Sequence, residues 1–292
     1  MLIVKLFQGF GNQMFQYAFA RSLAIRYNKV VKCDLSWYKE HSAHRAFMLD
    51  KLNVNYEVAT DKEIYDIKTC NGRNIIAYKW TQLRNAIAPY YRKSVIIENS
   101  NTCFDAQLLK TNSNSYIEGY FASENYFIAI ADLLKKEFEF KTQPSEINNC
   151  KIQEMQQRNA VCISIRRGDF LQHTIHNVCG LDYFYRSIVY LSQRINSPYF
   201  YIFSDDNAWV KEHFTIDFPH EFVTHNYPDF IEDFRLMQVC KHHIIPNSTF
   251  SWWAAWLAEQ DGSIIIAPQK WLNTDTIDYS NVVPLRWIKI KN

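Results

Sequence analysis

The sequence lacks an excess of charge of either sign. Its 292 residues carry 32 Lys and Arg against 30 Asp and Glu, a formal net charge of +2. General nucleic-acid binding, which leaves a strong basic excess, is excluded on that balance, so any bound anion must be held by a local arrangement. Paired cysteines are also lacking. Seven thiols are scattered at 33, 70, 103, 150, 162, 179 and 240, an odd count with no CxxC spacing. That distribution argues against a disulfide frame or a zinc site and for reduced thiols in the cytoplasm. No apolar run reaches membrane-spanning length, and the six-residue apolar start of MLIVKLFQGFGNQ is too short for a signal peptide. The expected location is therefore cytoplasmic, with no integral membrane segment. Peripheral attachment at the inner membrane face is left open. No internal repeat, low-complexity tract or long charge run interrupts the chain.

What is present suffices for a large core. Apolar residues make up 48% and aromatics 16% of the chain, and the length fits one large domain or two of about 140 residues. Leu2 to Phe7 reads as a strand, Met14 to Tyr27 as a helix and Val30 to Asp34 as a second strand, the usual opening of an α/β sheet. The stretch 60–115 is less regular. Tyr116 to Phe127 reads as a strand and turn leading into a helix over 124–138. The polar stretch 141–159, with a helix start at Pro144-Ser145-Glu146, marks a boundary between domains 1–150 and 151–292. The second half alternates regularly. Strands are expected at Val161–Ile165, Tyr199–Phe203, Glu221–Thr224, His242–Ile245 and Ser263–Ala267, and helices near 181–195, 207–213, 229–240 and 251–260. Such alternation predicts a parallel, doubly wound sheet.

Ligands of such sheets bind beyond the carboxyl ends of the strands. The residues there are Arg166-Arg167-Gly168-Asp169, Ser204-Asp205-Asp206, His225-Asn226, Asn247-Ser248-Thr249 and Pro268-Gln269-Lys270. Guanidinium groups match phosphate oxygens with forked donors. An ion pair of these arginines with Asp169 or another carboxylate is an equally good reading of spacing alone. Ser248, Thr249, Phe250 and Ser251 lead into a helix whose N-terminus suits an anion, although plain capping explains the same residues. Trp252, Trp253 and Trp256 stand at helical spacing and read as core. Asp205 and Asp206 suit a ribose, a base or a divalent metal, or a solvated turn. His173 and His176 have HxxH spacing without a third ligand, and His242-His243 reads as structural. Gly9-Phe10-Gly11 matches a dinucleotide fingerprint only in part, since Met14 stands where a third small residue belongs, although Asp34 ends the second strand as that fold requires. This keeps an NAD-dependent oxidoreductase as an alternative, beside a non-catalytic glycan-binding protein.

Read together, these segments resemble the α-1,2-fucosyltransferases of glycosyltransferase family 11, nearly end to end. GFGNQMFQYAFARSLA resembles the family's start and YIEGYFASENYF its mid-chain motif. SIRRGDF resembles the HxRRxD motif, FSDDNAWV the second motif and EDFRLMQVCKHHIIPNSTFSWWAAWL the third. Where the family places His before the arginine pair, Ser164 stands, which keeps a hydroxyl and loses the imidazole. The resemblance implies an α/β fold of GT-B type, two Rossmann-like domains facing across a cleft, with acceptor on the first and nucleotide on the second. The last residues would pack back on the first domain. It implies inverting, metal-independent transfer of fucose from GDP-fucose to a galactose-terminated oligosaccharide, free or lipid-linked, with no further cofactor. By the same resemblance, Arg166 holds the β-phosphate, with Ser164 and Arg167 nearby, and Ser248, Thr249, Phe250 and Ser251 line the phosphates. Asp205, Asp206 and Asp233 contact guanine or ribose. Asn12 and Gln13 reach the donor phosphate or the acceptor, and Asp169 is the candidate general base.

Overall fold

The structure, a computed structural model, describes residues 1–41, 45–69, 75–99, 104–168 and 174–292. The chain forms two compact units, Met1–Lys141 with Ser280–Val282, and Thr142–Tyr279 with Val283–Asn292.

The first unit carries strands β1 (Leu2–Lys5), β2 (Val31–Asp34), β3 (Glu57–Val58), β4 (Val95–Ile97) and β5 (Ser115–Glu118). They pair in parallel in the order β3-β2-β1-β5-β4. Its helices are α1 (Phe10–Tyr27), α2 (Ser36–Glu40), α3 (Asp61–Thr69), α4 (Ile75–Ile87) and α5 (Ala131–Glu137). Helix α1 starts at Phe10, four residues before the periodicity of the sequence begins, because Gly9 is the N-cap and the polar Asn12 and Gln13 sit in its first turn. Most of its faces are buried, so its side chains fill the core of this unit. Two helices and β4 occupy the stretch that reads as irregular.

The second unit opens with α6 (Glu146–Gln156), capped by Ser145 as its sequence predicts. Strands β6 (Asn159–Ile165), β7 (Pro198–Ser204), β8 (His220–Phe222), β9 (His242–Ile244), β10 (Ile265–Pro268) and β11 (Ile288–Ile290) form a second parallel sheet in the order β11-β10-β9-β6-β7-β8. Helices α7 (Leu181–Ser192), α8 (Asn207–His213), α9 (Phe230–Met237) and α10 (Thr249–Ala258) separate the strands. The α/β expectation therefore holds in both halves, and β3, β4 and β11 are strands that the sequence reading does not contain.

Alternation along β6 sets up the site. Val161, Ile163 and Ile165 pack into one cluster with Tyr183, Phe184, Ile188 and Leu191 of α7 and Val210 of α8. The intervening residues, Cys162 and Ser164, lie on the opposite face. There the Ser164 hydroxyl shares a 2.7 Å hydrogen bond with Ser251 of α10. Trp252, Trp253 and Trp256 are buried on α10, Trp252 and Trp256 lying parallel and Trp253 meeting each of them edge to face. His242 and His243 are buried as well, His242 accepting the Ile264 N–H and His243 bonding the Cys240 carbonyl. Burial pushes His242 down to about 4 and His243 to about 3, so both rings are neutral structural groups.

Candidate functional site

In the second sheet the chain runs from β6 outward to β7 and β8, then returns to the other side of β6 for β9, β10 and β11. The strand order therefore reverses between β6 and β9, and open α/β sheets bind ligands beyond the carboxyl ends of the strands at such a switch point. Arg166 and Arg167 follow β6 directly, and Asn247 and Ser248 precede α10 beyond β9. Residues 80 positions apart in sequence thereby share one rim.

The arginine pair is held by the aspartate pair that follows β7. Asp205 accepts the backbone N–H groups of Arg167 at 2.8 Å and Gly168 at 3.1 Å, and its carboxylate bridges the Arg166 guanidinium at 3.1 Å. A Cβ on Gly168 would come within 2.7 Å of the Asp205 carboxylate, so this close approach requires glycine. Arg167 diverges toward α8. Its guanidinium lies 3.2 Å above the centre of the Trp209 ring and 3.4 Å from Asp206, which also caps α8 through the Trp209 N–H. Asp206 and Trp209 thus neutralise and cover Arg167. Asp169, the alternative partner for Arg167 and the candidate base, lies outside the described residues, as does His173.

Helix α10 starts with Ser248 as N-cap, and this serine makes no side-chain capping bond. Ser248 and Ser251 are buried, whereas Thr249 and Phe250 are half-buried. Phe250 packs edge-on against Phe230 and against Phe234 of α9, at 5.9 and 4.9 Å between ring centres. Ser164 faces Ser251 and is buried, so it braces the floor beneath the helix terminus.

Asp233, also on α9, takes part in a polar network that sequence reasoning missed. Asn226 donates to its carboxylate at 3.0 Å, and Asn148 of α6 donates to both Asn226 and Glu232. The amide oxygen of Asn148 lies 2.7 Å from Nε2 of His225. Asn148 is fully buried, 85 residues before Asp233, and only its place as the third residue of a capped helix hints at a role. Burial raises the Asp233 carboxyl to about 6, with Asp229 and Glu232 adding to the rise and the Asn226 bond opposing it. Because the folded value is raised, Asp233 favours the fold below about pH 3.8, and that contribution is lost as pH rises through about 6.

In the first unit the corresponding reversal lies between β1 and β5. Two non-glycine residues with left-handed backbone sit there, Gln8 at φ 68° and Phe121 at φ 52°. Strain of this kind persists where the surroundings over-determine it, and such positions cluster at ligand sites. Gln8 is held through its carbonyl, which accepts from Gln13 and Tyr38. Gln13 is fully buried, donating also to Ala46 and accepting from Met48. Its amide is committed to backbone partners, and of the two residues singled out in the sequence only Asn12 is half-exposed. Phe7 and Tyr120 meet edge to face at 5.1 Å on the same rim.

Among the described residues no three His, Cys, Asp or Glu side chains group as a metal site, and no helix is long and apolar enough to cross a membrane. The partial dinucleotide fingerprint is built differently from its prototype, with Gly9 outside α1 and the buried Met14 within it.

Comparison with known proteins gives these features a family. The chain is 32% identical to an alpha-1,2-colitosyltransferase of Escherichia coli, over 99% of both chains. It is 27% identical to the O-antigen biosynthesis glycosyltransferase WbnK of Escherichia coli, over 90% of this chain and 92% of that one. The fold is similar to that of the fucosyltransferase NodZ from Bradyrhizobium, with a TM-score of 0.48 and 14% identity over 89% of this chain and 96% of the other. The family model for glycosyl transferase family 11 matches residues 1–291, and the chain, a glycosyltransferase, belongs to that family.

Proposed function

We propose that the protein transfers L-fucose from GDP-β-L-fucose to O2 of a terminal β-galactoside, with inversion and without a metal cofactor. The observation that carries this reading is the β6–β9 rim of a family 11 chain, where an arginine pair on an aspartate clamp adjoins the start of α10. As the sugar–phosphate bond breaks, negative charge grows on the departing diphosphate. A fixed guanidinium and helix N-terminal donors stabilise charge where it develops, at roughly 3–4 kcal/mol for one such donor. Arg166 fills the first role, with Ser248, Thr249 and Ser251 lining the second. The carboxylates of Asp205 and Asp206 are already engaged by the arginines, which is the reason for assigning charge neutralisation to Arg166 rather than to a metal. Asp169 is the proposed general base, a role worth roughly 10²–10⁴-fold in rate. The first unit takes the acceptor, with Asn12 and the aromatic rim of Phe7 and Tyr120 facing it.

A second donor is favoured by one observation, the name of the 32% identical relative, an alpha-1,2-colitosyltransferase. One experiment separates the two donors and tests the linkage. The protein is incubated with GDP-fucose or GDP-colitose and a galactose-terminated acceptor, with and without EDTA, and the product is solved by NMR. An α-1,2-fucosyl product that survives chelation is expected. A 1,3- or 1,6-linked product, or activity restored only by added Mn²⁺, would overturn the reading. GDP at about 100 times its Kd should stabilise the protein by roughly 2.7 kcal/mol, and UDP and ADP by less.

Asp233 gives this reading a pH signature. An ionised carboxylate accepts both N–H groups of the guanine edge, whereas the protonated form keeps one acceptor oxygen, and burial raises this carboxyl to about 6. GDP affinity is expected to be flat above neutrality and to fall about tenfold per pH unit well below 6. Asp233→Asn should flatten that profile. Titration calorimetry from acid to neutral pH checks it, and an unchanged slope in the variant would remove Asp233 from the base contact.

A further inference from the structure

The face of α4 is apolar in the outward direction. Ile76, Trp80, Leu83 and Ile87 are 65%, 67%, 56% and 80% exposed. At 100° per residue these four positions fall within an arc of about 60°, a single stripe along a helix roughly 20 Å long. The opposite side is tied down, since the Asn85 amide donates to the hydroxyl of buried Ser94 at 3.0 Å. The stripe therefore has a fixed outward orientation. Four large apolar side chains in one line exceed the scattered exposure that soluble surfaces show.

The charge around the stripe has one sign. Between Asp66 and Glu98 the sequence holds six basic residues and no acidic one, in a chain whose overall charges nearly cancel. Lys79 borders the stripe and, with Ile76, Trp80 and Leu83, lines a shallow groove on it. Lys68 and Arg92 are exposed on either side of α4 in sequence.

We propose that α4 seats the protein on an anionic lipid surface. Ile76, Leu83 and Ile87 enter the boundary between headgroups and acyl chains, and Trp80 lies at headgroup level, where indole rings prefer to be. Lys79 keeps its stem against the apolar stripe and its ammonium among the lipid phosphates. The basic stretch supplies the long-range attraction, which salt weakens. This goes beyond the transferase reading and does not depend on it, although a surface-bound enzyme would meet a lipid-linked acceptor without three-dimensional search.

The test is sedimentation of the full chain with large vesicles of phosphatidylglycerol and phosphatidylethanolamine, beside vesicles of phosphatidylcholine alone. Binding is expected to the anionic vesicles, reversed by added salt. Trp80→Ser combined with Leu83→Ser should lower the partition roughly tenfold or more. Lys79→Glu with Arg92→Glu should do the same on anionic vesicles. Retained melting temperature and retained stabilisation by GDP show that the variants are folded, and transfer to a soluble acceptor reads the catalytic proposal separately. Equal binding to both vesicle types, no binding to either, or variants that bind like the parent would each overturn the assignment. Self-association that vanishes in the Trp80 and Leu83 variant, without vesicle binding, would overturn it in favour of a second copy of the chain.

Discussion

Replacing Arg166 with alanine is expected to weaken GDP binding about tenfold to a hundredfold or more, while Arg167→Ala chiefly lowers stability. Charge-assisted hydrogen bonds contribute about 1.5–3 kcal/mol each, which sets the first figure. The asymmetry follows from where the two side chains go. Arg167 continues the parity of Ile163 and Ile165, onto the face packed by α7 and α8, and there it covers Trp209 and meets Asp206. Loss of that cation–π contact costs about 0.5–2 kcal/mol, a fall of roughly 1–8 °C in melting temperature. Arg166 stays on the rim, bridged to Asp205 through its Nε. GDP affinity and melting temperature of the two alanine variants decide the matter. A folded Arg167→Ala protein that loses more GDP affinity than Arg166→Ala would exchange the two roles.

Asp205→Ala should be as damaging as Arg166→Ala to transfer, and more damaging to the fold. One carboxylate accepts two consecutive backbone N–H groups and an arginine, so its removal releases the whole turn after β6. The side chain is about one-fifth exposed, so water recovers part of the loss and about 2–4 kcal/mol remains. Asp205→Asn should behave more like alanine than its size suggests. An amide has one acceptor oxygen, and its NH₂ would face the N–H of Arg167 or Gly168. Urea unfolding and single-turnover transfer rates test this. An asparagine variant with full stability and rate would show that the double backbone contact does not hold the turn.

Strands β6, β7, β9 and β10 of the second sheet are legible because they are largely buried on both faces. Val161 to Ile165 and Tyr199 to Phe203 read as continuous apolar runs bounded by turns. β11 was not legible, since Ile288-Lys289-Ile290 is three residues long and pairs along one edge only. The arginine pair was legible as chemistry but not as geometry. Its partners lie 38 and 39 residues away on the next strand's loop, and adjacency in sequence had pointed to Asp169. Strand alternation along β6 accounts for Arg167, which leaves on the face packed by the helices and meets Trp209 and Asp206. Ser164 lies on the other face of β6, as the same alternation requires, and its hydroxyl is shared with Ser251. A buried hydroxyl pair gives no periodic signal, because each serine alone reads as surface. Gln13, to which the family resemblance assigns a ligand contact, spends its amide on backbone partners that include the left-handed turn at Gln8.

The strand order of the second sheet also dictates when the rim can exist during synthesis. β6 and β7 are consecutive strands and can pair as soon as both are made, bringing the aspartate clamp onto the arginines. The other wall waits for β9 and α10, more than 80 residues after β6 begins. Until then β6, the longest strand together with β7, presents an open edge next to the space that the α10 indoles will fill. A chain that ended near residue 240 could hold its arginines on their aspartates and yet leave that edge of β6 unpaired, so the rim is completed only when the third motif is made.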